Sequence, residues 1–274
     1  MSGPSRPLAT PRAWNLVAPG YTAEALPLFE QFAEDALRIA PVAPGERVLD
    51  VAAGPGTLSL LAARTATVSA IDFAPGMLER LQARFNDAGL VVDARLGDGT
   101  QLPWGDETFS AAFSMFGLIF FPDRRRGFAE LLRVLQPGGR AVVSSWVPME
   151  RVPVLAALFG AMKAELPGLP FGDGATPLGD PEEFRAELAD AGFVDVAVRE
   201  VAHGLKVPSV RTFLASAERT NAPLVLLAEK LGPAAFRALV EGIERRLVTT
   251  FGSGPLRIEF VALLGYGARP RRIT

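Results

Sequence analysis

The chain has no cysteine. That excludes disulfides, thiolate metal sites and a cysteine nucleophile. Its only histidine is His203, so a multi-histidine metal centre is excluded too, and no metal is expected. Lysine is confined to Lys163, Lys206 and Lys230 while arginine is common, a bias we read as base composition rather than chemistry. A strong charge of either sign is also missing: the formal net charge is -2. The run Arg124-Arg125-Arg126 sits beside Asp123 and Glu130 and reads as a solvated helix face, so no nucleic-acid partner is expected. The longest apolar run, near residues 110–121, is too short to cross a bilayer and stops at Pro122-Asp123. The first residues lack the apolar core of a signal peptide. Together these absences predict a soluble, cytoplasmic protein.

What is present is a chain of 274 residues, 49% hydrophobic, long enough to bury a large core without staples. Residues 1–13 carry Pro4, Pro7 and Pro11 and read as a loose arm. A helix is predicted over 23–40, with Thr22 as its N-cap and Leu26, Phe29, Phe32, Ala33, Ala36 and Leu37 on one side. Strands and helices then alternate. Strands are predicted at 47–51, 67–72, 90–96, 109–114 and 140–146, and helices at 57–64, 75–88 and 123–135, with a turn at Pro137-Gly138-Gly139. Such βα units imply an α/β, doubly wound, mostly parallel sheet with helices on both faces. The rhythm breaks after Trp146. An apolar helical patch at 152–162, a helix at 181–191, a strand at 193–201, two or three helices within 208–251 and a final strand at 257–265 complete the chain. The expected organisation is an arm and lid helix over 1–45, a cofactor core over 46–146 and a C-terminal part over 147–274 of the same domain, with cover segments at 147–180 and 204–255.

The stretch Val48-Leu-Asp-Val-Ala-Ala-Gly-Pro-Gly-Thr57 is a strand, a glycine turn and a helix start. A glycine turn lets the backbone approach a ligand. The helix start offers free amides and partial positive charge. Asp72 ends the second strand, about 20 residues on, where a carboxylate can accept from both hydroxyls of a ribose. NAD, FAD and S-adenosylmethionine all carry that ribose. The dinucleotide fingerprint needs a third glycine; counted from Gly54 that place holds Ser59, and counted from Ala52 neither the first nor the third place is glycine. After the third strand, Asp98-Gly99 places a carboxylate where an exocyclic amine can donate to it.

The set formed by that loop, Ile71-Asp-Phe-Ala-Pro-Gly-Met-Leu78, Gly97-Asp-Gly-Thr-Gln-Leu-Pro-Trp104 and Leu132-Arg-Val-Leu-Gln-Pro-Gly-Gly-Arg140 resembles the class I S-adenosylmethionine-dependent methyltransferases. It is similar to their small-molecule branch, which contains the ubiquinone and menaquinone C-methyltransferases. The motifs cover about residues 45–146. The resemblance implies a seven-stranded Rossmann-like sheet with an antiparallel last strand and S-adenosylmethionine as cofactor. It implies that Ala53, Gly54 and Gly56 line the methionine part, that Asp72 binds the ribose, that Phe73 and Met77 flank the adenine and that Asp98 and Gly99 meet its edge. Ser114 and Met115 would lie near the sulfonium, and Tyr21, in a lid segment over 14–21, would close over it. Asp50 would order the loop. Alanine stands at 52 and 53 where the family more often has glycine with cysteine or serine, and it fits if the backbone there is not left-handed.

Methyl transfer from a sulfonium is an in-line displacement that mainly needs alignment and exclusion of water. His203, at the predicted end of the sixth strand, is the one candidate base. Phe116, Trp146, Arg211 and Asn221 are candidate contacts to a small, at least partly apolar acceptor, with Glu218 and Arg219 as further polar groups. The competing readings are an NAD-type oxidoreductase, disfavoured by Ser59 and Asp98, and a non-catalytic cofactor-binding protein. The oligomeric state is not legible.

Overall fold

Runs of buried β-branched and small residues form the strands, and period-3.6 apolar faces form the helices laid against them. The computed structural model describes residues 7–167 and 176–272. The strands are β1 (Arg47–Val51), β2 (Thr67–Asp72), β3 (Asp93–Leu96), β4 (Phe109–Ser114), β5 (Leu135–Trp146), β6 (Val194–Val207) and β7 (Leu256–Ala268). They make one seven-stranded sheet in the order β3-β2-β1-β4-β5-β7-β6. β1 to β5 pair in parallel, and β7 runs antiparallel to both β5 and β6. The predicted doubly wound sheet with an antiparallel last strand is therefore the observed fold.

Helices α1 (Pro11–Gly20), α2 (Leu26–Ile39), α3 (Thr57–Ala62), α4 (Pro75–Asp87), α5 (Arg124–Val134), α6 (Pro153–Glu165), α7 (Pro181–Asp190), α8 (Val210–Thr220), α9 (Ala222–Leu231) and α10 (Pro233–Phe251) surround it. Ala33, Ala36 and Leu58 from α2 and α3 pack with Val48, Val68, Ala111 and Phe113 on one face. Phe128, Leu131, Phe184 and Leu188 from α5 and α7 pack with Leu49, Val51 and Val143 on the other. α6, α8, α9 and α10 form a separate apolar cluster around Leu158, Leu214, Leu227 and Ile243.

The N-terminal reading needs correction. Residues 11–13 belong to α1 rather than to a loose arm, and residues 1–6 lie outside the described residues. Thr22 is no N-cap, because α1 passes through a π turn at Tyr21–Ala25 straight into α2. The Thr22 hydroxyl donates to the Ala18 carbonyl (2.7 Å) inside the rod. Pro19, within α1, removes one amide donor, and the ladder resumes with the wider π spacing.

Two strands also run longer than predicted. β5 begins at Leu135, and Pro137-Gly138-Gly139 is an irregularity inside it, where the register with β4 slips between Phe109 and Ala111. β6 continues to Val207, and its pairing with β7 extends past the level of Trp146. Residues 202–207 and 256–261 thus form a two-stranded ribbon rising about 20 Å above the C-terminal edge of the sheet. Part of the predicted cover at 147–180, residues 168–175, lies outside the described residues.

α5 passes into β5 without a glycine cap, and its last carbonyls accept from the Leu135, Glu107 and Thr108 amides. Arg269 adds charged donors to the carbonyls of Leu132 (3.2 Å), Arg133 (2.8 Å) and Leu135 (2.6 Å). Its other arm reaches Glu107 (3.1 Å). We expect Arg269→Ala to cost about 2 kcal/mol in urea unfolding, the scale of charge-assisted bonds to buried carbonyls; a loss under about 0.5 kcal/mol would remove Arg269 from this role.

Candidate active site

The C-terminal ends of β1, β2, β3 and β4 converge where open α/β sheets bind ligands. β1 ends in a turn whose backbone is left-handed at Ala52 (φ 55°), Gly54 (φ 55°) and Gly56 (φ 77°). Ala52 therefore departs from the right-handed backbone expected of an alanine there. Its Cβ is accommodated by Gly117, where an added Cβ would overlap it. Gly56 does not line the cavity; it is the left-handed N-cap of α3, and a Cβ on it would meet the Leu81 side chain at 2.8 Å.

Asp72 joins the loop to the next strand. One carboxylate oxygen accepts from the Gly54 amide (2.8 Å) and the other from the Ala74 amide (2.8 Å). Burial pushes Asp72 up to about 6, although backbone amides stabilise its charge. Asp50 lies below the loop. One oxygen accepts from both the Ser59 amide (3.1 Å) and the Ser59 hydroxyl (2.6 Å), so Ser59 serves the β1–α3 turn. Burial pushes Asp50 up to about 7 against those bonds, and the Asp72 charge adds to the rise. At the end of β3, Asp98 folds its own turn by accepting from the Thr100 amide (2.8 Å).

These residues line a cavity of about 990 Å³. Of the predicted cofactor residues, Tyr21, Ala53, Gly54, Asp72, Phe73, Met77, Asp98, Gly99 and Met115 line it, and Gly56 and Ser114 do not. Ser114 is fully buried, and its hydroxyl is a buried polar atom without a hydrogen-bond partner. Of the acceptor residues, Phe116, Trp146 and Asn221 line the cavity. Asn221 also caps α9 by accepting from the Leu224 amide (3.2 Å). Arg211 points elsewhere, bonding Glu244 (3.0 Å) of α10 with a largely exposed side chain. Glu218 is likewise outside the lining, and burial raises its pKa.

His203 is not brought to the cavity. β6 does not end at it, so it sits within the ribbon, Nε2 2.6 Å from an Asp35 carboxylate oxygen and edge-on to Phe32. That histidine is thus held against α2, outside the cavity lining. Among the described residues no group of three His, Cys, Asp or Glu could hold a metal ion.

Arg219, one of the expected polar groups, lines the cavity, whereas several contacts at or beside the wall carried no legible signal. Phe29 reads as an ordinary core position of a helix, yet it lines the cavity beside Tyr21 (5.0 Å between centroids). The Asn15 side chain accepts from the Gly76 amide (2.8 Å), fastening α1 over α4. Glu24 of the π turn takes two bonds from Arg219 of α8 (2.5 and 3.0 Å), and both line the cavity. Asn15 and Gly76 are 61 residues apart and Glu24 and Arg219 are 195 apart, so only folding brings these two pairs together.

Comparison with known proteins agrees with this fold. The family described as a methyltransferase domain matches residues 48–139. The uncharacterized protein Rv1405c of Mycobacterium tuberculosis is 44% identical over 108 residues, which is 39% of each chain. The matched part of this chain thus spans about two fifths of that relative's length. A demethylmenaquinone methyltransferase of Clavibacter sepedonicus is 39% identical over 184 residues, 61% of this chain and 73% of the relative. Among solved structures, the YcgJ protein of Bacillus subtilis superposes with a TM-score of 0.60 at 17% identity, covering 88% of this chain and 98% of that one.

Two outcomes test the loop. Gly117→Ala is expected to cost about 1–3 kcal/mol by overpacking, and most of that loss should return in the Ala52→Gly background; equal losses in both backgrounds would break the Ala52–Gly117 contact. Ionised Asp50 costs stability above pH 7. As pH falls from about 7 toward its ordinary value of 3.8, the native carboxyl takes up a proton before the unfolded one does, and that cost disappears. Relative to wild type, Asp50→Asn should therefore be more stable at pH 8 than at pH 5 in urea unfolding, and a pH-independent difference would contradict the assignment.

Proposed function

The chain belongs to the class I S-adenosylmethionine-dependent methyltransferases, and we propose that it transfers a methyl group to a small, at least partly apolar acceptor. S-adenosylmethionine is the cofactor of that family. The observation that carries the reading is the continuity of the cavity from Asp72 and Asp98 to the aromatic wall of Phe29, Phe116 and Trp146.

The residues fit the cofactor. Backbone amides of Gly54, Ala74 and Phe73 serve the Asp72 carboxylate, which has about four lone-pair sites, so room remains for a ribose hydroxyl. A Cβ at Gly54 would meet nothing within 4 Å, which leaves the loop open to a close ligand. Asp98 keeps an oxygen for an exocyclic amine, with Phe73 and Met77 beside it. Tyr21, Ala53 and Met115 close the remaining sides. When bound, the cofactor supplies a sulfonium-activated methyl group for in-line displacement.

The chain's own residues then orient and exclude water. Burial, and next the charge of Asp72, hold the Tyr21 hydroxyl protonated, so Tyr21 is a donor and not a base. Glu24 is held low by its bonds from Arg219 and Ser216, which makes it a poor base. This supports a displacement driven by proximity and orientation rather than by a base at Tyr21 or Glu24. α6, α8 and the β6–β7 ribbon supply the acceptor's walls through Leu155, Leu158, Phe213 and Phe260.

Titration calorimetry tests the reading. S-adenosylmethionine and S-adenosylhomocysteine should bind and NAD should not; binding of neither sulfur compound would defeat it. Asp72→Asn should weaken S-adenosylhomocysteine by about 1–3 kcal/mol. In the wild type, affinity should fall as pH drops through about 6, where Asp72 is protonated, and the Asp72→Asn protein should lack that step.

A further inference from the structure

Two serines, Ser144 and Ser145, precede Trp146 at the end of β5; both are fully buried, and their side chains point to opposite faces of the sheet. Each holds a large residue in a left-handed backbone conformation. The Phe116 amide donates to the Ser144 hydroxyl (2.8 Å). The Ser145 hydroxyl donates to the Leu178 carbonyl (2.6 Å). Phe116 has φ 58° and Leu178 φ 57°. A bulky residue there is strained, and such strain persists only where surrounding structure enforces it. Ser145 works in the core beneath α7, whereas Ser144 works at the cavity wall.

The consequence on the Ser144 side is the placement of a ring. Phe116 lies flat on Trp146, centroids 4.0 Å apart and planes within 18°. Phe29 (5.3 Å) and Phe32 (5.4 Å) meet it edge-on. An unstrained turn at the end of β4 would send the Phe116 side chain in a different direction. We propose that Ser144 is a positioning residue: by holding the Phe116 amide it keeps Phe116 stacked on Trp146, and that stacked pair is the floor that selects a flat, unsaturated acceptor over a puckered one of similar size. A flat ring gains face or edge contacts with such a floor that a saturated ring lacks. The acceptor half of this statement rests on the methyl-transfer reading; the role of Ser144 in placing the ring does not.

The test uses 2-naphthol and decahydro-2-naphthol as probes, titrated into the full chain with and without saturating S-adenosylhomocysteine. The wild type should favour the flat probe by roughly fivefold beyond the difference in their partition into octanol. Ser144→Ala should bring that preference to about one while leaving S-adenosylhomocysteine affinity within about twofold. Ser144→Thr, which keeps the accepting oxygen, should retain the preference, and Ser145→Ala should leave it unchanged. Phe116→Leu should abolish it even if Ser144→Ala fails to fold. A wild-type preference in Ser144→Ala or Phe116→Leu, no preference in the wild type, or parallel loss of S-adenosylhomocysteine binding in both variants would overturn the proposal. Failure of the wild type to bind S-adenosylhomocysteine would instead strike the methyl-donor reading, and the probe ratio without it would still decide the role of Ser144.

Discussion

Two backbone amides converge on the carboxylate of Asp72, one from Gly54 in the β1–α3 loop and one from Ala74 at the start of α4. This convergence ties the ends of β1 and β2 together, and it fixes the rim from which the rest of the cavity is measured. It also sets an energetic condition. The charge is buried, so its pKa is pushed up, and only the amides keep it near its working form. Asp50, immediately below, is subject to the same burial and relies on Ser59 in the same way. Two buried carboxylates side by side weaken the apo protein, and donors brought by a ligand relieve that cost at Asp72.

A second constraint is steric. Ala52 and Phe116 lie in the turns that follow the adjacent strands β1 and β4, both with left-handed backbones, and Gly117 makes room for the Ala52 Cβ. The loop on the donor side and the turn on the acceptor side therefore touch through one methyl group. Trp146 and Phe29 complete the wall, and the rod of α1 and α2, opened by a π turn at Tyr21–Ala25, passes over it. Side chains from sequence regions far apart in the chain thus meet around one volume, which suits a reaction whose main demand is alignment.

The Asp72 end of the cavity was legible because its signals are local. Asp50, Gly54, Asp72 and Asp98 each stand at a strand end next to a turn, and short-range spacing is enough to place them. Gly56 shows where that reasoning runs out: a glycine can be required by its backbone and by Leu81 without lining the cavity. The acceptor half depends on how far strands run past the sheet. Alternation predicted an end to β6 near His203, but pairing with β7 carries it to Val207 and turns His203 toward Asp35. The α1–α2 rod was hidden by Pro19 and Gly20, which normally break helices and here are absorbed by the π turn. Arg211 failed for the opposite reason, since its helix was foreseen but the facing α10 claims its side chain.

The central claim is that one cavity holds a methyl donor at the Asp72 edge with its reacting end toward Phe116 and Trp146. A crystal structure of the complex with S-adenosylhomocysteine tests it most directly. The account predicts ribose hydroxyls within hydrogen-bond distance of both Asp72 oxygens, the adenine beside Asp98, and the sulfur facing the aromatic wall. Density for the ligand at any other surface, or a ribose that leaves Asp72 without contact, would contradict it.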